Sequence, residues 1–500
     1  MLTNEAENDL KTRLSEQTEW LLIRSTGENF AFRNTEIELE STNDKLLFSF
    51  LDKSGFQTWR IFDCKFKNDE IVLHLTRNFK RENEKIRLVP RVSVSEFGAE
   101  LEAARLEKAN KIAAMIGNDF PRVKLVCVEL NEENGRFAQI IFENVSGAQT
   151  AVLADVTESV TPETLLSTMI LWLSKLSRRK KKPIQNGWII SEEKTAKSLS
   201  KTHALLVENW KRKIAVKEIS NEKSKTAKEN KLQKEPFLRE MPNLSIEDLW
   251  REKAKAIKLS ENRKISRTAR EIIDFAPDEI DVVFSRHGET LRFLGLPFAR
   301  VRSIFGEEKV WFGTERKRTL LTQKNGEEFL EIIENLKIYR RADSPNKRHA
   351  LFQNAPEAWL EAVLRRNIKL LDANLVLSPL YHQFRAERDK IDLLALRKDG
   401  RLVIIEIKVA PDREMIFQAA DYWRKIELQR RKGNLQKARI FGDMRISENP
   451  TVIYLVAPTL SFHKDFKFLA SMISPKIEIH RFNLAENWRE NLKVLERERI

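Results

Sequence analysis

The segment that most constrains the fold is the apolar run LVII at residues 402–405, together with the charged residues that follow it. Four consecutive aliphatic residues are typical of a strand that is buried on both faces. Glu406 and Lys408 come next, with Ile407 between them. Because side chains alternate along a strand, the two charged groups are predicted to share one face. Burying a charge is costly unless it has a partner or a ligand, so this strand end is the first candidate for a functional site.

The charge of the chain indicates a polyanionic partner. Its 500 residues include 89 basic and 74 acidic ones, which gives a formal net charge of +15. This balance favours nucleic acid, with an anionic membrane surface as the alternative. No run of about eighteen apolar residues occurs, so the sequence predicts no membrane span. The polar, acidic start and the two isolated cysteines, Cys64 and Cys127, predict a cytoplasmic protein without a disulfide framework.

Composition and periodicity divide the chain into five parts, and together they predict an α/β protein that is α+β overall. Short apolar runs between turns predict a β-rich module, and mixed strand and helix patterns predict an α/β module after it. The segment NEKSKTAKENKLQKEP has almost no apolar residue and predicts a flexible linker. The predicted parts are residues 1–100 (β-rich module), 101–219 (α/β module), 220–243 (charged linker), 244–345 (helical, then β-hairpin connecting module) and 346–500 (C-terminal domain).

In the C-terminal domain the predicted element order is α-β-β-β-α-β, followed by a further helix and strand. Asp392 stands just before the apolar LLAL, and the turn at Asp399-Gly400 joins that strand to the next one. A hairpin through this turn is predicted to bring Asp392 close to Glu406. Neighbouring carboxylates repel each other, and a divalent cation such as Mg²⁺ relieves that repulsion with oxygen ligands. Lys408 would then orient a water, lower its pKa, or stabilise an anionic transition state.

A second motif, Ser285-Arg286-His287-Gly288, resembles the Arg-His-Gly signature of histidine phosphatases. That fold needs a second His-Gly on a later strand, and the sequence has none. A glycine-containing β-turn between the apolar runs DVVFS and TLRFL accounts for the motif instead. The phosphatase interpretation is therefore set aside in favour of a hairpin.

The residues at the end of the apolar strand resemble the active-site motif of the PD-(D/E)XK nuclease superfamily, and the similarity covers about residues 350–485. The resemblance implies a restriction-endonuclease-like αβββαβ core. It implies that Asp392 and Glu406 bind the metal and that Lys408 is the catalytic lysine. Ile391 stands before Asp392, where the family's motif has proline.

The same resemblance assigns residues on two helices. Glu361 matches the acidic residue on the family's first helix, which also binds the metal, and Glu357 is the fallback one turn earlier. Gln418 and Tyr422 match the Gln-x-x-x-Tyr motif of the RecB-like branch. These two side chains are four residues apart, so they share a helix face and are predicted to point to the same site.

Basic residues surround the predicted site and are candidates for phosphate contacts. Arg424 and Arg431 are seven residues apart and are predicted to share a helix face. Some of these side chains must simply solvate the helix that carries them. The candidate nucleic-acid-binding residues are Arg385, Arg388, Arg413, Arg424, Lys425 and Arg431.

The resemblance implies a divalent-metal-dependent deoxyribonuclease that hydrolyses phosphodiester bonds, with Mg²⁺ or Mn²⁺ as cofactor and DNA as the favoured partner. No Gly-rich nucleotide-binding motif occurs, so no nucleotide cofactor is expected. One alternative is a protein on the same fold that binds nucleic acid, or serves in an assembly, without turnover. Another is a structural role, with Asp392 ending a turn and Glu406 paired to Lys408 on an edge strand. Substrate structure and endo or exo cleavage stay open.

Residues 152–172, VLADVTESVTPETLLSTMILW, repeat the strand, polar turn with proline and amphipathic helix of residues 403–423. At 154–156 this segment reads Ala-Asp-Val, where the motif would need Glu-x-Lys. We interpret residues 105–215 as a degenerate nuclease-like copy without chemistry. The alternative is ordinary α/β architecture, in which strand-turn-helix units look alike.

Overall fold

The structure is a computed structural model and forms two compact units, one of residues 1–200 and 212–243, the other of residues 201–211 and 244–500. It is an α+β protein with several sheets, as the sequence predicted. In the part of the chain that is described, no helix is both long and apolar enough to cross a membrane. The described residues are 4–17, 19–24, 29–42, 45–52, 55–67, 70–77, 82–90, 94–131, 135–157, 160–220, 236–257, 264–285, 288–304, 307–314, 318–378 and 392–500.

The first unit begins with an antiparallel sheet in the spatial order β2-β1-β7-β6-β5-β4-β3. Its elements are α1 (Asn4–Ser15), β1 (Glu19–Arg24), β2 (Asn29–Arg33), β3 (Glu38–Thr42), β4 (Lys45–Asp52), β5 (Gly55–Lys67), β6 (Glu70–Arg77) and β7 (Glu82–Pro90). Apolar residues alternate along these strands, so one face of the sheet is buried. Trp20, Phe48 and Trp59 lie in that core with Leu10 and Leu14 of α1.

A second sheet of the first unit has the order β13-β12-β11-β10-β9-β8. The elements along this stretch are α2 (Val94–Asp119), β8 (Lys124–Leu130), β9 (Phe137–Glu143), β10 (Gln149–Asp155), α3 (Pro162–Ser177), β11 (Asn186–Glu192), α4 (Glu193–His203), α5 (Glu208–Lys213), β12 (Ile214–Ser220) and β13 (Phe237–Glu240). Residues 201–211, which include the end of α4 and the start of α5, belong to the second unit. The hydroxyl of Thr161 caps α3 by accepting a hydrogen bond from the backbone N–H of Thr164. This start is the one that Pro162 predicts in the sequence. Most of the predicted linker, residues 221–235, lies outside the described residues.

The second unit contains a five-stranded antiparallel sheet, β14 to β18, in sequence order. Its elements are α6 (Ile246–Leu249), α7 (Arg267–Ile273), β14 (Ile280–Ser285), β15 (Gly288–Phe293), β16 (Leu296–Ile304), β17 (Glu307–Phe312), β18 (Thr319–Leu320), α8 (Gly326–Tyr339) and α9 (Ala350–Gln353). Ser285 of β14 pairs with Gly288 of β15, so the phosphatase-like motif lies in a hairpin, as the sequence predicted. Arg286 and His287 themselves lie outside the described residues.

The last sheet has the order β19-β20-β21-β22-β23-β24. Its elements are α10 (Pro356–Arg366), β19 (Leu375–Leu377), β20 (Leu393–Arg397), β21 (Leu402–Ile407), α11 (Met415–Arg431), α12 (Asn434–Lys437), β22 (Val452–Pro458), α13 (Phe466–Ala470), β23 (Ile479–Leu484) and β24 (Val494–Arg499). β21 is central: it pairs antiparallel with β20 and parallel with β22. Residues 402–405 are all 0% exposed, so the strand predicted from the apolar run is fully buried.

The helix α10 covers one face of this sheet. Trp359 and Leu360 of α10 share a core with Ile405 and Ile407 of β21. Because side chains alternate along a strand, Glu406 points to the opposite face. α11 packs against β21 and β22, and none of its residues belongs to the core that α10 shares with β21.

Arg340 is a buried cation that ties the start of α10 to the neighbouring sheet. It is 0% exposed, and its guanidinium donates hydrogen bonds to several backbone carbonyls: those of Phe293, Leu294, Leu351, Asn354 and Ala355. At Gly295 (φ +81°) the approach of α10 is so close that a Cβ would lie 2.0 Å from the carbonyl oxygen of Ala358. Together these contacts fix where α10 begins.

The structure adds two strands to the last sheet beyond those predicted. One is β19, and the strand predicted at PLYHQFRA, residues 379–386, lies outside the described residues. The sequence also gave no indication of β24, whose residues VLERER are mostly charged. β24 is an edge strand with a largely exposed surface, so it lacks the apolar alternation on which strand prediction depends.

Candidate active site

Glu406 and Lys408 form the centre of the candidate site, where β21 ends. Glu406 is only 2% exposed, and the Nζ of Lys408 lies 3.2 Å from its Oε1. Lys408 also lies 3.4 Å from a carboxylate oxygen of Asp412, in the turn that leads to α11. Lys408 therefore lies between the carboxylates of Glu406 and Asp412, at the end of a buried strand.

Asp392 lies opposite Glu406, as the hairpin through Gly400 predicts. The register pairs Leu393 with Ile405, and one further step places Asp392 across from Glu406. The Oδ2 of Asp392 accepts a hydrogen bond of 2.9 Å from the backbone N–H of Ile407. That bond anchors the carboxylate beside the strand end, so the two acids face each other.

The surroundings of Glu406 disfavour the ionised form of its carboxyl group. Its pKa is raised well above the usual value, first by burial and then by the negative charge of Asp392. Lys408 lowers the pKa and offsets part of this effect. In addition, the Oε2 of Glu406 is buried and has no hydrogen-bond partner among the described residues. A buried carboxylate oxygen without a donor is costly, and a positively charged ligand would relieve that cost.

Lys408 stays charged in this environment. Burial lowers its pKa, but the carboxylates of Glu406, Glu357, Asp412 and Asp392 outweigh that effect, and the pKa lies above its ordinary value. Lys408 is therefore a cation at neutral pH rather than a base.

On α10, Glu357 is the acid whose charge acts on both Glu406 and Lys408. Glu361, the first choice from the sequence, is buried and lies 3.8 Å from the guanidinium of Arg292. Arg292 also pairs with Asp281 at 2.7 Å. The charge of the fallback residue Glu357 therefore acts at the candidate site, while Glu361 has a cationic partner on β15. Metal binding by Glu361 stays a prediction.

Gln418 and Tyr422 lie one turn apart on α11, and both are half-buried. The Nζ of Lys425 lies 5.8 Å from the centre of the Tyr422 ring. Since α11 packs on β21 from the face to which Glu406 points, both side chains are on the correct side of the sheet for the predicted role. Their participation in the site stays a prediction.

The basic residues that the sequence singled out have different surroundings. Arg424 is buried and donates to Asp421 at 2.8 Å, and Lys425 pairs with the same carboxylate at 2.7 Å. Arg431 is exposed, although it pairs with Glu427 at 2.8 Å and its guanidinium lies 4.6 Å from the centre of the Trp250 ring. Arg413 is half-buried two residues before α11; Arg385 and Arg388 lie outside the described residues.

Asp412 is a neighbour of Lys408 in the candidate site that the sequence did not single out. It stands four residues after Lys408 and follows Pro411 in the turn before α11. The sequence feature that could have indicated Asp412 is an acid just before a helix that follows a charged strand end. The helix dipole also favours acids at such positions. Such acids are common at helix starts, so the signal alone does not distinguish a cap from a site residue.

The donor set at this strand end is made of carboxylate oxygens. In the described part of the chain, no group of three or more His, Cys, Asp or Glu side chains is placed to hold a metal ion by itself. Asp392 and Glu406, one of them with an unpartnered oxygen, therefore fit a cation that keeps several of its waters, as Mg²⁺ does. They do not fit a closed cage made of protein ligands.

Comparison with known proteins leaves the family open. No protein-family model matches the chain, and no curated protein matches it. Among solved structures, EndoMS in its apo form is 11% identical, at a TM-score of 0.14, over 38% of this chain and 85% of its own. The EndoMS complex with double-stranded DNA is 10% identical over 38% and 84%, and a repair endonuclease from Pyrococcus abyssi is 13% identical over 39% and 90%, both at a TM-score of 0.14. Similarity this low shows no family for the chain.

Proposed function

We propose that this protein is a divalent-metal-dependent nuclease that hydrolyses phosphodiester bonds, with DNA as the favoured substrate. The observation that carries the proposal is the buried Oε2 of Glu406, which lacks a hydrogen-bond partner among the described residues and lies in a carboxylate that faces Asp392 and Lys408. The order from α10 through β19, β20, β21 and α11 to β22 supports a restriction-endonuclease-like core. The net charge of +15 supports a polyanionic substrate.

In this proposal Asp392 and Glu406 hold Mg²⁺ or Mn²⁺, and Glu357 adds negative charge from α10. When bound, the metal supplies Lewis-acid polarisation of the phosphate and lowers the pKa of a water. The oxygen of the water bonds to phosphorus, the bond from phosphorus to the leaving oxygen breaks, and one proton of the water ends on that oxygen. The products are a phosphate monoester and a hydroxyl.

The role of Lys408 follows from its charge. Neighbouring carboxylates raise the pKa of Lys408 in the metal-free protein, which keeps its side chain protonated and disfavours a role as proton acceptor. We assign it to stabilising the negative charge that develops on the phosphate oxygens. This assignment is one of the three roles that the sequence left open, and a protonated Lys408 is equally compatible with orienting the water and with lowering its pKa.

The competing function is nucleic-acid binding without turnover, for which the same basic charge would suffice. The test is cleavage of plasmid, linear duplex and single-stranded DNA with Mg²⁺ or Mn²⁺, beside binding measured by fluorescence anisotropy. We expect Glu406→Gln and Lys408→Met to abolish cleavage and retain DNA binding, because phosphate contacts supply most of the affinity. The control Glu448→Gln changes an exposed glutamate of the same unit and should cleave like wild type.

Two outcomes decide against the proposal. Cleavage that persists in both Glu406→Gln and Lys408→Met would remove the site assignment. DNA binding without cleavage by the wild type under any of these conditions would favour the binding protein. A cytoplasmic location and the five-part domain division remain predictions.

A further inference from the structure

Two sheets of the chain share one topological plan. In the sheet β8–β13 the successive pairs are antiparallel, antiparallel, parallel, parallel and antiparallel. The sheet β19–β24 has the same sequence of pair directions. A helix precedes the first strand of each, α2 or α10, and another connects the third strand to the fourth, α3 or α11. The repeat therefore extends well beyond a single strand-turn-helix unit.

The strand that corresponds to β21 is β10, and it carries an acid, Asp155, at the position of Glu406. Asp155 is the last residue of β10 and is buried. Across from it, on β9, stands Phe137, whereas Glu406 faces Asp392. Residues 155–157, Asp-Val-Thr, therefore correspond to Glu406-Ile407-Lys408, one residue later than the 154–156 that the sequence comparison indicated, and Thr157 stands where the lysine would be. The first copy thus has neither the second carboxylate nor the lysine.

The oxygens of Asp155 are used by its own turn. Oδ1 accepts hydrogen bonds from the backbone N–H of Thr157 at 2.8 Å and from its hydroxyl at 3.0 Å. Oδ2 accepts from the backbone N–H of Val160 at 3.2 Å. These bonds hold the turn that follows β10, so Asp155 has a structural role there. It contrasts with Glu406, whose Oε2 has no hydrogen-bond partner in the described chain.

We propose that, of the two copies of this sheet plan in the described part of the chain, only the second is catalytic, and that a single molecule of the protein therefore nicks duplex DNA, cutting one strand per encounter. The inference rests on the proposed function and specifies how that activity acts on its substrate. One centre hydrolyses one phosphodiester at a time. Because the two strands of a duplex run antiparallel, the second backbone presents the same geometry only after the protein rebinds in another orientation.

The first experiment follows supercoiled plasmid with the protein at a limiting concentration. Wild type is expected to convert nearly all supercoiled DNA to nicked circle before linear DNA appears, and Asp155→Asn is expected to give the same time course. Linear DNA that forms at the same time as the first nicks would overturn the inference. So would an Asp155→Asn protein that nicks normally but has lost a second cut seen in wild type.

A second experiment does not depend on turnover. Titration of the metal-free protein with Mn²⁺, followed by calorimetry, is expected to show binding that Glu406→Gln abolishes and Asp155→Asn retains. Binding of wild-type affinity that remains in folded Glu406→Gln would place a metal site elsewhere and overturn the inference, whether or not Asp155→Asn folds. If Mn²⁺ binds as expected and no DNA is cut, the proposed nuclease function fails while the assignment of a single metal site stands.

Discussion

Replacing Glu406 by glutamine is predicted to stabilise the metal-free protein while it removes the proposed activity. Glu406 is buried, faces Asp392 across the hairpin, and keeps one oxygen without a hydrogen-bond partner among the described residues. Glutamine has nearly the same shape and no charge. The substitution therefore removes both the burial of a carboxylate and its repulsion from Asp392, at the cost of part of the interaction with Lys408.

The direction and the pH dependence follow from the pKa of Glu406, which folding raises well above its ordinary value of 4.5. A raised pKa means that the folded state holds the proton more tightly than the unfolded state. The stability from this group is therefore fully present below the unfolded pKa and is lost as the pH rises through the folded pKa. Each pKa unit corresponds to about 1.4 kcal/mol. We expect Glu406→Gln to raise the free energy of unfolding by about 1–3 kcal/mol near pH 8, the usual cost of a buried polar group without a hydrogen-bond partner, and by close to zero below the unfolded pKa.

Thermal unfolding followed by circular dichroism, with a chelator present, measures this difference. A gain of 1 kcal/mol raises the Tm of a unit of this size by about 2–4 °C. The exposed control Glu448→Gln should leave the Tm unchanged at both pH values. Mn²⁺ should then stabilise the wild type and not Glu406→Gln, because a ligand stabilises only the form that binds it. A Tm of Glu406→Gln below that of wild type near pH 8, or a difference independent of pH, would refute the reasoning.

Three further predictions concern the surroundings of the site. Arg340→Met should lower the free energy of unfolding by at least about 3 kcal/mol in denaturant titrations, because it leaves several buried carbonyls without a donor. Arg424→Met should mainly lower the Tm, since Arg424 is buried in an ion pair. Arg431 is exposed, so Arg431→Met should instead weaken DNA binding and make its salt dependence shallower in anisotropy measurements. Gly295→Ala should lower the free energy of unfolding by about 2 kcal/mol or more, because the added Cβ would collide with a backbone carbonyl. Gly326→Ala is the control, since open space surrounds that position, and it should leave the stability unchanged. Equal Tm values for the two variants would contradict this account.

The sequence alone predicted the central strand and the pairing of its acids. The apolar run at 402–405 indicated burial on both faces, and the strand is fully buried. Counting residues through the turn at Gly400, which has φ +80°, predicted that Asp392 lies near Glu406, and the register places them opposite each other. Both inferences depend on short-range geometry: the alternation of side chains and the length of a hairpin are set by a few neighbouring residues.

Only the tertiary structure decided which charged side chains are near the site. Glu357 and Glu361 are one helical turn apart, so periodicity places them on the same face of α10 without distinguishing them. The position of α10 along the sheet, fixed in part by Arg340 and the close approach at Gly295, brings the charge of Glu357 to Glu406.

The same limit applies to the basic residues of α11. Spacing along the helix correctly relates Arg424 to Arg431, yet Arg424 is buried against Asp421 and Arg431 is exposed. The identity of an ion-pair partner, like the absence of a donor for Glu406 Oε2 among the described residues, depends on segments that are distant in the sequence. Periodicity specifies which residues share a face. The packing of whole elements against one another specifies how deep each residue lies and which charges it meets.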